Sequence, residues 1–284
     1  MTGTAAAQTA PRLEVTWLRT STLLLDFGGF RVLTDPWFGS WMRILPVFRR
    51  PGLALEALPP VDLLLVSHLH ADHFSAADAR IIARGNPGLE AVGCPGATPA
   101  FAEAGIRGIE LAPGASTRVG PLEITAVECA HTGPPPAEVN YAVEWRGLGV
   151  FFGGDARYSA AFEETARGFR TDVALLPIGG TLIFGHRTTM DPDDAHRAAR
   201  ALGARFVVPT HEGMEWMPVP PASWHPGRTR AFEALCRAEP SGPRAVRLRP
   251  GERATFERRD ADLDLVEVAI HPGGRLDRSA RLVP

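Results

Sequence analysis

The most restrictive feature of this chain is a short apolar run, Val61 to Ser67, that passes directly into His68-Leu69-His70-Ala71-Asp72-His73. A continuous apolar run of this length, preceded by Pro59-Pro60, suits a strand buried on both faces. The polar cluster then sits at that strand's C-terminal end. Three imidazoles and a carboxylate within six residues are hard to explain as packing. Alternate residues of an extended chain point the same way, so His68 and His70 can reach one ion, while Asp72 and His73 on the following turn can face a second.

Two ions need more ligands than these, and other strand ends supply them. His131 follows a strand read over Leu122 to Cys129, Asp155 follows Val150 to Gly154, and His211 follows Phe206 to Thr210. A polar residue after a strand is commonplace, so each signal is weak alone. Together they complete a set: His68, His70 and His131 on one ion, Asp72, His73 and His211 on the other, Asp155 bridging. Five histidines among seven ligands favour Zn²⁺, and Mn²⁺, Fe²⁺ and Ni²⁺ accept the same donors.

The rest of the chain reads as meanders with helices between and after them. Early strands are expected at Leu13 to Leu18, Thr22 to Phe27 and Phe30 to Thr34, with Gly28-Gly29 as a hairpin signal. Helices are expected at Ala76 to Arg84, Thr98 to Ala104, Ser159 to Gly168, Pro192 to Leu202 behind Asp191, and Pro226 to Ala238. Further strands are expected at Tyr141 to Trp145, Gly149 to Phe152, Asp172 to Pro177, Ala245 to Leu248, Ala254 to Phe256 and Leu263 to Ile270. Residues 1–12 read as a frayed tail and 13–284 as a single domain.

Composition narrows the function. All 30 Lys+Arg residues are Arg, which excludes Schiff-base, P-loop and kinase-type lysine chemistry. A net charge of −2 argues against a nucleic-acid binder working by bulk charge. Cys94, Cys129 and Cys236 are widely spaced with no C-x-x-C, fitting neither a disulfide framework nor a zinc knot and pointing to a reducing, cytoplasmic setting. No apolar run reaches the length of a membrane span, and the N-terminal residues lack a secretory signal pattern. A small-molecule substrate is expected, and the sequence is silent on oligomeric state.

The H-x-H-x-D-H motif, followed by His131, Gly153-Gly154-Asp155 and Pro209-Thr210-His211, resembles the metallo-β-lactamase superfamily from about Leu13 to Leu248. The resemblance implies an α/β (α+β) four-layer αββα sandwich with a dinuclear site at the sheets' edge. Thr34-Asp35-Pro36, Leu58 to Asp62, Leu175 to Gly179 and Met190-Asp191-Pro192 are similar to the branch with ascorbate-6-phosphate lactonase and N-acyl-phosphatidylethanolamine phospholipase D type enzymes. The activity implied is hydrolysis of an ester-like bond, phosphodiester or lactone, by a hydroxide held between two divalent ions. Asp72 would ligate and also orient or relay the proton. Two departures stand out: Arg19-Thr20-Ser21-Thr22 replaces the branch's Gly-His-Ala-Ser/Thr, and Thr189 replaces a histidine before Met190. A non-hydrolytic metal enzyme and a metal-stabilised binding protein without turnover are the alternatives.

Weaker candidates surround this set. Asp35 is either a group behind the ligands or a turn cap before Pro36. His186, in the loop Gly179 to Thr189, is a candidate catalytic or substrate contact. His196, His225 and His271 read as surface residues, Cys129 as a buried filler, and Glu212 and Glu215 as loop carboxylates or groups behind His211. The Arg-punctuated apolar segment Trp37 to Arg50, within a long irregular loop, either lines a substrate pocket or closes the core.

Overall fold

The computed structural model describes residues 10–39, 41–42, 45–47, 49–131, 138–212, 219, 222–259 and 262–274. The first part of the chain runs β1 (Arg12–Arg19), β2 (Thr22–Phe27), β3 (Phe30–Thr34), the short pair β4 (Trp41–Met42) and β5 (Leu45–Pro46), then β6 (Leu63–Val66), α1 (Ala76–Gly85), β7 (Glu90–Gly93), α2 (Thr98–Ala104) and β8 (Arg107–Glu110). The second runs β9 (Ser116–Val119), β10 (Leu122–Glu128), β11 (Val139–Trp145), β12 (Leu148–Phe152), α3 (Ala161–Ala166), β13 (Val173–Pro177), β14 (Leu182–Ile183), β15 (His186–Arg187), α4 (Pro192–Ala201) and β16 (Phe206–Thr210). It closes with β17 (Ser223–Trp224), α5 (Thr229–Ala238), β18 (Arg244–Ala245), β19 (Glu252–Arg259) and β20 (Asp262–Ile270).

Two large sheets result, ordered β20-β19-β1-β2-β3-β6-β7-β8 and β18-β16-β13-β12-β11-β10-β9. In each, an antiparallel meander passes into parallel strands: β3, β6, β7 and β8 in one, β12, β13, β16 and β18 in the other. Burial on both faces explains why β6, β12, β13 and β16 read as unbroken apolar runs. Along β13, Val173 and Leu175 face the core shared by the two sheets, whereas Ala174 and Leu176 face a second core with α3, α4 and α5. Phe101 of α2 and Ile82 of α1 pack on the other side. The expected αββα sandwich is what the chain forms.

Several expected elements move. The helix read from Pro226 begins at Thr229, because Gly227 N–H is drawn to Gly179 O at 2.8 Å and Arg228 stays extended. The strand read over Ala245 to Leu248 shrinks to Arg244–Ala245. Strands β7, β8 and β9, each four residues long, were not legible because their pattern is too short, and β8 is largely exposed. The tail read as 1–12 ends with Arg12 already in β1, and residues 1–9 lie outside the described residues.

Candidate metal centre

Strand direction gathers the site. β3, β6, β10, β12, β13 and β16 all end at one edge, and the residues just past those ends are Asp35, Ser67 with His68, His131, Asp155, Gly179 and His211. The chain bends sharply there: Asp35 and His211 have φ of 37° and 48°, a left-handed region costly for non-glycine residues. His211 N–H donates to Thr20 O at 3.1 Å, so the β1–β2 turn braces this bend. At Gly154 a Cβ would collide with Ser67 Oγ, so only glycine lets Asp155 approach the β6 end.

The candidate donor atoms form two groups of four, each within 4.8 Å of one another, His68, His70, His131 and Glu138, and Asp72, His73, Asp155 and His211, with a smaller third grouping of Asp35, His68 and His73. All seven predicted ligands are therefore brought together. Asp155 faces both groups, with Oδ1 at 3.1 Å from His73 Nε2 and 3.2 Å from His211 Nε2, and Oδ2 at 4.0 Å from His131 Nε2. Asp72 Oδ2 lies 3.8 Å from His211 Nε2 and 4.0 Å from His73 Nε2.

The outer hydrogen bonds fix which nitrogen faces inward. His73 Nδ1 donates to Asp35 Oδ2 at 2.7 Å, since the carboxylate can only accept. Ser67 Oγ gives its hydrogen to the same Asp35 oxygen at 2.7 Å, so it accepts from His68 Nδ1 at 3.0 Å. His131 Nδ1 donates to the carbonyls of Asp155 and Thr188 at 2.9 and 2.8 Å. In each ring, once neutral, Nε2 is left to present its lone pair, the usual arrangement behind a metal-bound imidazole. His73 Nε2 and Asp155 Oδ1 lie 3.1 Å apart, both buried. Convergent imidazole nitrogens and carboxylate oxygens on mostly buried side chains fit a divalent cation. Asp35 is thus the partner behind the candidate ligand His73, and behind His68 through Ser67, rather than only a turn cap.

Electrostatics agree. Burial depresses His68 and His70, with His73 and His131 respectively as the next largest influence. Burial alone would lower His73 and raise Asp155, but their mutual attraction and their other partners overcome it, holding His73 well above and Asp155 well below the usual ranges. His70 is the open side of the cluster, with its side chain 45% exposed against 2% for His68.

Glu138 was missed. The other candidates follow strands, whereas Glu138 precedes β11, which runs antiparallel to β10 and β12 and so begins at the same edge. Burial, then the charge of Asp155, pushes its carboxyl up to about 9.

The remaining candidates separate. His186 lies exposed on β15 and belongs to neither ligand group, although Thr188, two residues on, touches His131. His225, read as a surface residue, is fully buried between Thr181 Oγ1 at 3.0 Å and Ser223 Oγ at 3.4 Å. His196 is half-buried, its ring against Phe232, and His271 is half-buried too. Cys129 packs with the second core. Glu212 accepts from Thr229 N–H at 3.1 Å and caps α5; Glu215 lies outside the described residues. Arg19, at the departure from the branch pattern, is buried, donates to Gly39 O and Arg49 O, and stacks over Trp37 at 4.3 Å. It ties together both ends of the loop, whose Trp37 is buried while Phe48 lies outside the described residues.

Residues 30–211 match the family model of the beta-lactamase superfamily domain. The UPF0173 metal-dependent hydrolase of Polaromonas sp. is 28% identical over 274 residues, covering 86% of this chain and 90% of that protein. The protein of the same description from Nitratidesulfovibrio vulgaris is 31% identical over 253 residues, covering 86% and 96%. Among solved structures, Igni18, a metallo hydrolase from the archaeon Ignicoccus hospitalis, aligns with a TM-score of 0.72 at 22% identity over 87% of this chain and 100% of that one. That likeness bears on the fold.

Proposed function

This chain belongs to the beta-lactamase superfamily, and from that premise we propose that it is a dinuclear metal-dependent hydrolase acting on an ester-like bond of a small molecule, of the phosphodiester or lactone class. The observation that carries the reading is the pair of four-residue donor groups joined by Asp155. His68, His70 and His131 would hold one ion, Asp72, His73 and His211 the other. Zn²⁺ suits the imidazole-rich set, and Mn²⁺, Fe²⁺ or Ni²⁺ can replace it. Two divalent ions supply a water activated for attack near neutral pH and positive charge against the developing oxyanion.

The chain's own residues do the rest. Asp35, Ser67 and the carbonyls of Asp155 and Thr188 lock the imidazole orientations, so little reorganisation is left for the reaction. Asp72, with its side chain 14% exposed, is the ligand carboxylate placed to orient a proton at the solvent edge. Substrate reaches the cluster from the side of His70, where the imidazole is open. His186, on the exposed β14–β15 hairpin whose base touches His131, is a candidate substrate contact. Among the described residues no helix is long and apolar enough to cross a membrane.

Protein purified without chelators and assayed for metal should carry two equivalents per chain, and should hydrolyse simple phosphodiesters or lactones in a metal-dependent way. A chain that never exceeds one equivalent, whatever ion is supplied, sinks the dinuclear assignment; two bound metals without turnover favour a binding protein.

A further inference from the structure

We propose that Glu138 is a further protein ligand, beside the bridging Asp155, at the position held by His68, His70 and His131. The inference rests on the dinuclear reading above. Glu138 Oε1 lies 3.4 Å from His131 Nε2, 3.8 Å from His70 Nδ1 and 3.9 Å from His68 Nε2, while His68 Nε2 and His70 Nδ1 are 3.0 Å apart. Two donor atoms that would each lie about 2.05 Å from one Zn²⁺-sized ion, at angles of about 90° or more, are about 2.9–4.1 Å from each other. All four separations fall in that range.

The hydrogen-bond pattern makes the point chemically. His68 and His131 have each used Nδ1–H on an outer acceptor, so the Nε2 atoms facing Glu138 present lone pairs. An ionised carboxylate oxygen directed at two lone pairs is repelled unless a cation, or the carboxyl's own proton, stands between them. The other oxygen, Oε2, is buried with no hydrogen-bond partner, and the side chain is only 10% exposed. An ionised carboxylate left this way is costly, and a divalent ion relieves both its oxygens. Charge balance points the same way: Asp72, Asp155 and Glu138 offset three of the four positive charges of two ions, where the two aspartates alone offset half.

A carboxylate added to three imidazoles also makes the position harder, favouring Mn²⁺ and Fe²⁺ relative to a three-imidazole site. The rival role for Glu138 is a protonated neighbour that hydrogen-bonds to His131 without touching metal. Glu138→Gln imitates that protonated form and separates the two.

The experiment titrates Zn²⁺ and Mn²⁺ into the full chain and its E138Q and E138D variants in competition with a chromophoric chelator, and records the visible spectrum of the Co²⁺-loaded proteins. Loss of a group behind a ligand costs about 10–100-fold in affinity, so loss of the ligand itself should weaken one of the two ions at least about 10-fold. E138Q should show that loss, a changed Co²⁺ spectrum and a larger penalty for Mn²⁺ than for Zn²⁺, with the other ion unaffected. E138D, which keeps the carboxylate, should recover part of the affinity. Matching melting curves of the metal-free proteins check that the fold is intact. Two ions bound by E138Q with the parent's affinities and spectrum would overturn the assignment while leaving the dinuclear reading standing; a parent chain that binds no divalent ion overturns both.

Discussion

At the scale of single residues, the site depends on groups that never reach the reacting atoms. Asp35 is fully buried and accepts from Ser67 N–H, Ser67 Oγ and His73 Nδ1. Asp35→Asn keeps the volume but cannot satisfy three donors, and should weaken metal binding about 10–100-fold with secondary structure retained by circular dichroism. Unchanged affinity would reduce Asp35 to a turn cap. His73 adds a pH dependence. Burial would lower it, but Asp155 and Asp35 prevail and hold it protonated well above its ordinary 6.5 in the metal-free protein. A metal ion must displace that proton, so affinity should rise with pH until the proton is gone. Calorimetry at pH 7 in buffers of different ionisation enthalpy should register net proton release; heats that do not vary with buffer would contradict this.

At the scale of elements, carboxylates distant in sequence start helices whose own first residues cannot. α4 follows the local rule, with Asp191 accepting from Asp194 N–H and Pro192 behind it. α5 has no cap from Arg228 and takes Glu212, the residue after a metal-ligand candidate, so this helix is tied to the site's edge. α2 likewise has no cap from Ala97; Glu110, at the end of β8, accepts from Thr98 N–H at 2.7 Å. The N–H groups of Gly96 and Thr98 hold the Glu110 carboxyl below its ordinary 4.5. A depressed folded value stabilises above about pH 4.5 and is lost as pH falls through that lower value. The parent should therefore exceed Glu110→Gln by about 0.5 kcal/mol near neutrality, the small figure reflecting exposure, and the two should converge once acid has protonated the carboxyl. Urea midpoints across pH test it, and a pH-independent gap would count against the charge.

At the scale of the molecule, the proposed metal centre is a cross-link. His68, His70, Asp72 and His73 follow a strand of one sheet, while His131, Asp155 and His211 follow strands of the other. Metal binding should thus stabilise the packing of the sheets and not merely a loop. At free metal 100 times the dissociation constant, each site adds about 2.7 kcal/mol, and chelation should remove it, lowering the melting temperature of a single cooperative transition. A melting temperature indifferent to chelator would place the ions outside the folding equilibrium. The sheets also meet through Phe206 of β16 and Phe256 of β19, with ring centroids 5.2 Å apart and both residues fully buried. Phe256→Ala should cost about 3–5 kcal/mol by denaturant titration, and added metal should recover part of it.

Short-range chemistry made much of this legible from sequence. An unbroken apolar run has to be covered on both faces, so β6, β12, β13 and β16 declared themselves, and polar residues directly after such runs mark a sheet edge. That rule located His68 to His73, Asp155 and His211 without any contact information. Pairing across the chain was a different matter, because it depends on strand direction and on groups hundreds of atoms apart. β8 is a four-residue edge strand whose own residues are mostly exposed, so its place comes from β7 beside it. His225 looks like a loop histidine until Thr181 and Ser223 enclose it. Glu138 looks like one of many loop carboxylates, and only the antiparallel course of β11 carries it to the edge where β10 and β12 end. Sequence determined the donors that follow a strand; tertiary structure alone decided which donor arrives from the strand that runs the other way.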